Sequence, residues 1–360
     1  MLDIDALLRT LAANNGSDLH LKVGGPPLIR VDGVLKRLQG NRLSPTDTAE
    51  VAKKIMPDRA KTLDQLDEAD FAYSVPGVAR FRVNAFRQRG SISMVFRLVR
   101  MGSATFDELG LPPVVKQLAE APRGLILVTG PTGSGKTTTL AAMIDHINNT
   151  KPVHVLTIED PIEVLHADRM ASVNQREVGV DTDNFLGAMR AAMREDPDVI
   201  LIGEMRDPET VAAALGAGET GHLVLSTLHT TNAVETINRV VDFFPPYQQH
   251  QVRVSLASVL RGVICQRLVT RAGGGRIPAL EIMVSNGRIA DRIIDSDKTQ
   301  EIHEIIAQGD YYGMQTFDQA LLGLVVDGLV SVNDAMLSAT DPHDLMLMLE
   351  QVGEVVPASA

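Results

Sequence analysis

The apolar run Leu125-Ile-Leu-Val128 and the segment Gly130-Pro-Thr-Gly-Ser-Gly-Lys136-Thr137 just after it decide the fold of this chain. A strand, a glycine-rich turn and a lysine–threonine pair that opens a helix are typical of a phosphate-binding loop. Its backbone N–H groups cradle phosphates, while the lysine reaches the β- and γ-phosphates and the threonine hydroxyl binds Mg²⁺. We therefore expect a nucleoside triphosphate to bind the residues Gly130, Pro131, Thr132, Gly133, Ser134, Gly135, Lys136, Thr137 and Thr138.

The composition limits the partners of the chain. Its 360 residues suit two domains, and a net charge of −11 does not favour nucleic acid or an anionic membrane. Cys265 is the single cysteine, which excludes an internal disulfide and fits a reducing compartment. Residues 1–5 are acidic and unlike a secretion signal, and the best apolar run, 321–326, stops at Asp327. We expect a cytoplasmic protein without a membrane span.

Hydrophobic patterning predicts a small α+β domain over residues 1–98, a linker at 99–105, an α/β domain over 106–270 and a helical region over 271–360. In the α/β domain, apolar strands alternate with helices, which predicts a mainly parallel sheet. The predicted strands are 125–129, 154–158, 198–202 and 222–228.

Acidic side chains follow two of these strands, where parallel sheets bind ligands. Thr157-Ile-Glu-Asp-Pro-Ile-Glu163 contains three carboxylates, which indicate either a group that orients the attacking water or the acidic start of a helix. Glu204 follows the strand that begins at Asp198, and we expect it to support Mg²⁺ through water. Asp198 points to the other end of the sheet and is interpreted as a turn residue.

Histidines and arginines complete the candidate site. His229, at the end of a buried strand, is placed to sense the γ-phosphate, whereas His222, at its start, is better suited to holding structure. Arg82 and Arg97 lie on adjacent predicted strands and are candidates to neutralise charge on the transferred phosphoryl group. Solvated surface charge is the alternative for each arginine, and further candidates are Arg80, Arg176, Arg190 and Arg194.

With these motifs, the chain resembles the secretion-type ATPases of type II secretion and type IV pili, and most of all the pilus retraction ATPases of the PilT family. The matching segments span nearly the whole chain. They are Ser17-Asp-Leu-His20, Gly77–Phe86, the phosphate loop, Thr157–Glu163, Arg194-Glu-Asp-Pro-Asp198, Gly203-Glu-Met-Arg-Asp207 and Thr220–Thr230.

The resemblance implies a RecA-like ATPase core with a PAS-like N-terminal domain, assembled as a hexameric ring that uses ATP and Mg²⁺. It implies that Glu163 is the general base, that Glu204 is the acid that supports Mg²⁺, and that Arg82 and Arg97 reach the nucleotide. His222 and His229 match the family's histidine segment, which implies that His229 is catalytic and that His222 helps to bind the nucleotide. The motor would act on an inner-membrane pilus platform protein from the cytoplasmic face of the membrane and withdraw pilin.

Two features bear on the direction of action. Assembly motors of this superfamily carry a longer N-terminal extension and usually four zinc-binding cysteines, whereas this chain has a short N-domain and one cysteine. Retraction motors carry Ala-Ile-Arg-Asn-Leu-Ile-Arg-Glu, and the aligned segment here, 288–295, has both arginines displaced. An ATPase of pilus assembly or type II secretion is therefore the alternative.

Two other classes of protein fit the sequence less well. A non-hydrolysing, nucleotide-gated scaffold would lack the base or the acid, and this chain has both. A RecA-like nucleic-acid translocase is disfavoured by the acidic charge and by an aromatic content of 4 %.

Overall fold

The computed structural model of the chain describes residues 2–56 and 67–353, so residues 1, 57–66 and 354–360 of the predicted domains lie outside it. The described residues form two compact units. The first unit comprises the chain up to Met101 together with Glu163–Leu165, and the second comprises Gly102–Ile162 and the chain from His166 onward.

The elements are numbered along the chain. The strands are β1 (Asp18–Leu21), β2 (Leu28–Val31), β3 (Val34–Arg37), β4 (Glu68–Val75), β5 (Ala79–Gln88), β6 (Ser91–Leu98), β7 (Arg100–Met101), β8 (Gly124–Thr129), β9 (His154–Glu159), β10 (Val164–Leu165), β11 (Ser172–Glu177), β12 (Val199–Ile202), β13 (Leu223–Leu228), β14 (Leu260–Thr270) and β15 (Arg276–Val284).

The α-helices are α1 (Ile4–Ala13), α2 (Pro45–Ile55), α3 (Phe106–Leu109), α4 (Pro113–Ala119), α5 (Lys136–Thr150), α6 (Phe185–Ala192), α7 (Pro208–Glu219), α8 (Ala233–Asp242), α9 (Pro246–Val259), α10 (Gly287–Ile294), α11 (Ile302–Ala307), α12 (Phe317–Val326), α13 (Val332–Ser338) and α14 (Pro342–Gln351). Short 3₁₀ segments lie at Ser296–Glu301 and Asp310–Tyr312.

The first unit is built on an antiparallel sheet with the strand order β3-β2-β1-β6-β5-β4. Helix α1 buries Ile4, Leu8 and Leu11, whose spacing places them on one face. Ser44 is the N-cap of helix α2, and its side chain accepts from the backbone N–H of Asp47 in a capping box. Both helices cover the same apolar core of the sheet, so this unit has the predicted α+β character.

The second unit is built on a seven-stranded sheet with the order β11-β9-β12-β13-β8-β14-β15, parallel except for β15. Alternate residues of β8 enter two different cores. Leu125 and Leu127 pack with helices α6 to α9, whereas Ile126 and Val128 pack with α4 and α5. Helices on both faces of a mainly parallel sheet confirm the predicted α/β fold class.

The structure differs from the prediction at the C-terminal side of this sheet. A helical region was expected from residue 271, but Arg276–Val284 forms β15, which pairs with β14. The segment from Ile277 to Met283 is buried apart from the half-buried Pro278, so it shows no alternation of polar and apolar residues. Periodicity does not separate such a strand from a buried helix, and the expected boundary at 270 therefore cuts through a hairpin.

Beyond the hairpin the chain is helical, as predicted. The sequence predicts helices near 286–295, 300–307, 315–327 and 344–351, and these correspond to α10, α11, α12 and α14. Side-chain caps define the starts of α10, α12 and α14; for example, Thr316 and Gln319 form a capping box at α12. Among the residues that the structure describes, every helix is too short or too polar to cross a lipid bilayer.

Candidate nucleotide site

The strand order brings the predicted motifs to one end of the sheet. Strands β9, β12, β13 and β8 are neighbours, and the last residues of β13 and β8, Leu228 and Thr129, are directly paired. We call the end of the sheet where these four strands finish the carboxyl edge. Glu159 ends β9 there, and the phosphate loop, Glu204 and His229 follow strands there, which is where open parallel sheets bind ligands.

The phosphate loop requires its glycines. Gly130, Gly133 and Gly135 have φ angles of +141°, +80° and +95°, a region that favours glycine. A Cβ atom on Gly130 would lie 2.3 Å from the carbonyl oxygen of Gln266 on β14, so β14 also forces a residue without a side chain there. The loop is therefore held open as a backbone concavity rather than filled by side chains.

Three features of this concavity fit a phosphate. Helix α5 starts at Lys136 with Gly135 as its N-cap and no side-chain cap, so its first N–H groups face the loop. The Lys136 ammonium is nearly buried and donates to the carbonyl oxygens of Gly130 and Pro131 at 2.8 and 3.1 Å. The buried Ser134 hydroxyl has no hydrogen-bond partner among the described residues. Positive charge and free donors thus converge inside the loop.

The threonines after the lysine have different environments. Thr137 and Thr138 are exposed at the start of α5, so their hydroxyls are accessible to a ligand or a metal. Thr139 is buried, and its hydroxyl donates to the Gln266 carboxamide oxygen at 2.8 Å. The sequence suggested no role for Gln266, because only the strand pairing of β14 with β8 brings it to the loop.

Glu204 and His229 lie together at the carboxyl edge. The Nε2 atom of His229 is 3.2 Å from one carboxylate oxygen of Glu204, and Arg206 donates to the other at 2.8 Å. Burial opposes ionisation of the carboxyl, but the hydrogen bond and charge of Arg206 and the nearby His229 outweigh it, so the pKa of Glu204 is held below its ordinary value. Glu204 is therefore an ionised hydrogen-bond acceptor at the same edge of the sheet as the phosphate loop.

The acidic segment at the end of β9, residues 159–163, is divided between the two units. Glu159 belongs to the second unit, is buried, and accepts from the Thr157 hydroxyl at 2.6 Å and the Gln175 amide at 3.2 Å. Glu163, which the sequence favoured, is exposed and belongs to the first unit, just before β10. Glu159 thus has a fixed place beside the strand that leads to Glu204, whereas the role of Glu163 stays a prediction.

His222 lies away from the phosphate loop. It precedes β13 at the end of the sheet opposite the carboxyl edge, where its carbonyl accepts from the N–H of Gly124 at 2.9 Å. Its Nδ1 atom lies 3.0 Å from the carbonyl oxygen of Ala217. The structure of this chain brings His229, but not His222, to the candidate site.

The predicted arginines belong to the first unit. Arg82 and Arg97 are directly paired across β5 and β6, and Arg82 shares the outer face of β5 with Arg80. The Nε atom of Arg97 donates to the buried Asp18 carboxylate at 2.9 Å, although 69 % of its side chain stays exposed. Burial raises the pKa of the Asp18 carboxyl, but the hydrogen bonds from Ser17 and Arg97 lower it by a larger amount. The pKa is therefore below its ordinary value, and the ionised carboxylate orients Arg97.

The arginine alternatives in the second unit have ordinary surroundings. Arg176 pairs with Glu195 at 3.0 Å, while Arg190 and Arg194 are exposed. Asp198 lies at the far end of the sheet, before β12, and accepts from the N–H of His154 at 2.9 Å.

Comparison with known proteins gives close and extensive similarities. Residues 2–309 match the family described as type II/IV secretion system protein. The chain is 49 % identical over 344 residues to the type IV pilus retractation ATPase PilT of Pseudomonas aeruginosa, covering 95 % of this chain and 100 % of that protein. It is 44 % identical to a twitching motility protein of Neisseria gonorrhoeae, covering 89 % of this chain and 86 % of that one.

A solved structure has the same fold. The crystal structure of the pilus retraction motor PilT with bound ADP superposes with a TM-score of 0.87 at 46 % identity, covering 96 % of this chain and 100 % of that one. The ATPase DotB of Legionella pneumophila is more distant, with a TM-score of 0.73 and 28 % identity over 93 % of this chain and 94 % of the other.

Proposed function

Because the chain belongs to the type II/IV secretion system protein family, we propose that it is an ATP-hydrolysing motor that powers type IV pilus retraction and hence twitching motility. The predicted family, fold class and ATPase class agree with its relatives. The observation that carries the proposal is the phosphate loop, in which an uncapped helix start, a buried lysine and an unpartnered hydroxyl converge. These groups bind a triphosphate, and little else requires them together.

The residues of the loop supply binding. The backbone N–H groups of Gly133, Gly135 and Lys136 would hold the phosphates, and the Lys136 ammonium would exchange its two loop carbonyls for phosphate oxygens. Thr137 would hold Mg²⁺ directly and Glu204 would hold it through water. When bound, Mg²⁺ neutralises charge on the phosphates that develops during transfer.

Hydrolysis needs a group that orients water and cations that neutralise the transferred phosphoryl group. We assign Glu163 as the general base by its match to the family motif, and His229 as the sensor of the γ-phosphate through its contact with Glu204. Arg82 and Arg97 are the assigned guanidinium groups, and Asp18 fixes the direction of Arg97.

The mechanical output is part of the same proposal. ATP cleavage in a homohexamer, at the cytoplasmic face of the inner membrane, would act on a pilus platform protein and withdraw pilin. We propose no contact with nucleic acid, because the net charge is −11.

Retraction is favoured over assembly by sequence identity. The chain is 49 % identical to PilT over 344 residues, whereas it is 36 % identical over 286 residues to the type II secretion system protein E of Pseudomonas aeruginosa. Deleting the gene tests the direction. More numerous surface filaments with loss of twitching are expected, whereas loss of filaments would support the assembly alternative.

Steady-state hydrolysis tests the enzyme class. Lys136→Ala is expected to lower the rate of ATP hydrolysis at least ~100-fold, the scale of losing charge stabilisation on the transferred group. A variant as active as the wild-type protein would contradict the assigned site. Tight ATP binding by the wild type without phosphate release would support the non-hydrolysing scaffold.

A further inference from the structure

A buried carboxylate outside the motifs described above contacts the segment that carries His229. Glu281 lies on β15 and is 3 % exposed. Its Oε1 atom accepts from the backbone N–H of Ala233, the first residue of α8, at 2.7 Å. Burying a carboxylate is costly unless it is hydrogen-bonded. The Ala233 N–H group supplies such a hydrogen bond, which links β15 to the start of α8.

The N–H group of Ala233 lies directly after the loop that connects β13 to α8. This loop, residues 229–232, begins with His229 and ends at Asn232, the N-cap of α8. Thr230 and Thr236 share a hydrogen bond of 2.7 Å between their hydroxyls, and Thr236 donates to the Asn232 carbonyl at 2.7 Å. The loop is thus fixed to the first turn of α8, and Glu281 fixes that turn.

Glu281 also continues a buried row that crosses the sheet to the phosphate loop. It is paired with Cys265 on β14, and Cys265 is paired with Thr129, the residue directly before Gly130. The Cys265 side chain is surrounded by Thr129, Thr236 and Glu281. One carboxyl therefore contacts both the strand next to the phosphate loop and the helix start behind His229.

The surroundings of the carboxyl come from three elements. His303 of α11 approaches the other oxygen, Oε2, with its Nδ1 atom at 4.0 Å, and Arg267 of β14 adds positive charge. Glu281, Asn232 and His303 line a polar cavity of about 560 Å³. Burial raises the pKa of Glu281 despite the Ala233 hydrogen bond and the nearby His303 and Arg267.

We propose that Glu281 is a positioning residue for His229: by holding the first turn of α8, it keeps the 229–232 loop where His229 meets Glu204. The inference rests on the proposed ATPase function for its effect on rate. The claim that Glu281 holds the 229–232 loop in place concerns only residues of this chain and applies without nucleotide.

The test compares Glu281 with a second buried carboxylate of the same type. Asp318 on α12 accepts from the backbone N–H groups of Thr340 and Asp341 at 2.8 and 3.0 Å, in the C-terminal helices. Asp318→Ala therefore removes a similar anchor of backbone N–H groups that does not contact the 229–232 loop. Glu281→Gln keeps an oxygen that accepts from Ala233, so it is the conservative variant.

Two measurements on the full chain decide the proposal. Without nucleotide, amide hydrogen exchange over 229–237 is expected to be at least ~10-fold faster in Glu281→Ala, near wild type in Glu281→Gln, and unchanged in Asp318→Ala. In steady-state hydrolysis, Glu281→Ala is expected to lower kcat about 10-fold with KM for ATP within about 3-fold, and Glu281→Gln to restore most of kcat.

Equal losses in Glu281→Ala and Asp318→Ala, or unchanged exchange over 229–237, would overturn the positioning role. If Glu281→Ala does not fold, Ala233→Pro removes the donor instead, at a position where proline is compatible with a helix start; an unchanged kcat there also overturns it. If the wild-type protein hydrolyses no ATP while the variants show the expected exchange pattern, the proposed function is refuted and the positioning role stands.

Discussion

The two ends of the seven-stranded sheet use similar residues in different ways. At the end where β8, β9, β12 and β13 begin, which we call the amino edge, Asp198 accepts from a backbone N–H and His222 lies against a backbone carbonyl. At the carboxyl edge, Glu204 and His229 contact each other, and the Ser134 hydroxyl has no partner among the described residues.

The difference teaches how to separate structural from functional polar residues on one sheet. At the amino edge, the side chains of Asp198 and His222 satisfy backbone groups and so have a complete role within the fold. At the carboxyl edge, Glu204 and His229 contact side chains and Ser134 has no partner among the described residues, so these residues keep hydrogen-bonding capacity for a ligand. Lys136 is the exception, since it would have to exchange its two loop carbonyls for phosphate oxygens. Paired substitutions at the two edges therefore test the assigned site more sharply than single ones.

The largest contrast is expected between the two carboxylates. Glu204→Gln should lower kcat for ATP about 100-fold, because it removes the charge proposed to support Mg²⁺. Asp198→Ala should leave kcat within about 2-fold but lower the free energy of unfolding by about 1 kcal/mol, since a backbone N–H loses its partner. Hydrolysis rates and chemical denaturation measure both. The contrast fails if Asp198→Ala is as inactive as Glu204→Gln.

A smaller contrast is expected between the two histidines. His229→Gln should lower kcat about 10-fold, the scale of one lost interaction with a reacting group, because it alters the contact with Glu204. His222→Gln should lower kcat much less, since its ring lies at the amino edge of its own chain. Comparable losses in both would mean that His222 acts in a site formed with another copy of the chain.

Two hydroxyls of the phosphate loop give the next contrast. Ser134→Ala should weaken ATP binding about 3-fold to 10-fold without lowering the stability of the nucleotide-free protein, because no hydrogen bond is lost in that state. Thr139→Val should cost about 1 kcal/mol of stability, since its hydroxyl bonds Gln266. Nucleotide titration and denaturation distinguish them, and a loss of stability in Ser134→Ala would contradict the assignment.

The smallest effect concerns pH. Because the pKa of Glu204 is lowered in the folded state, its ionisation contributes stability above the ordinary glutamate pKa, and this is lost as pH falls through the folded value. The stability difference between wild type and Glu204→Gln should therefore be near 0.5 kcal/mol at about pH 7 and shrink at about pH 3. Chemical denaturation at both pH values measures this stability difference. A difference that grows as the pH falls would contradict the prediction, because it would mean that folding raises the pKa of Glu204.

Much of the fold follows from local sequence, because β8, β9, β12 and β13 are short apolar runs between helices. Three strands of the same sheet did not follow: β15, where a helical region was expected, and β11 and β14. Residues 172–177 of β11 are polar, since an edge strand is partly exposed, and β14 continues directly from α9 without a glycine or proline between Val259 and Leu260. Their pairing partners, rather than their own composition, make them strands.

The candidate site was predictable where motifs follow strands and not where distant residues meet. The loop, Glu204 and His229 were identified from their positions after apolar runs. The pairing of Glu204 with His229, the contact of Gln266 with the loop and the link from Glu281 to Ala233 join different strands and helices. No local pattern encodes such contacts, because the order of strands in the sheet determines them.

The buried row through Cys265 has a practical consequence for experiments. Cys265 is the only cysteine of the chain, its side chain is fully covered, and burial raises the pKa of its thiol well above the ordinary value. Maleimide dyes therefore react only with introduced thiols, such as Val34→Cys in the first unit and Leu337→Cys in the second, whose native side chains are 60 % and 79 % exposed. Fluorescence distances between the two units can be recorded during turnover with the native cysteine in place.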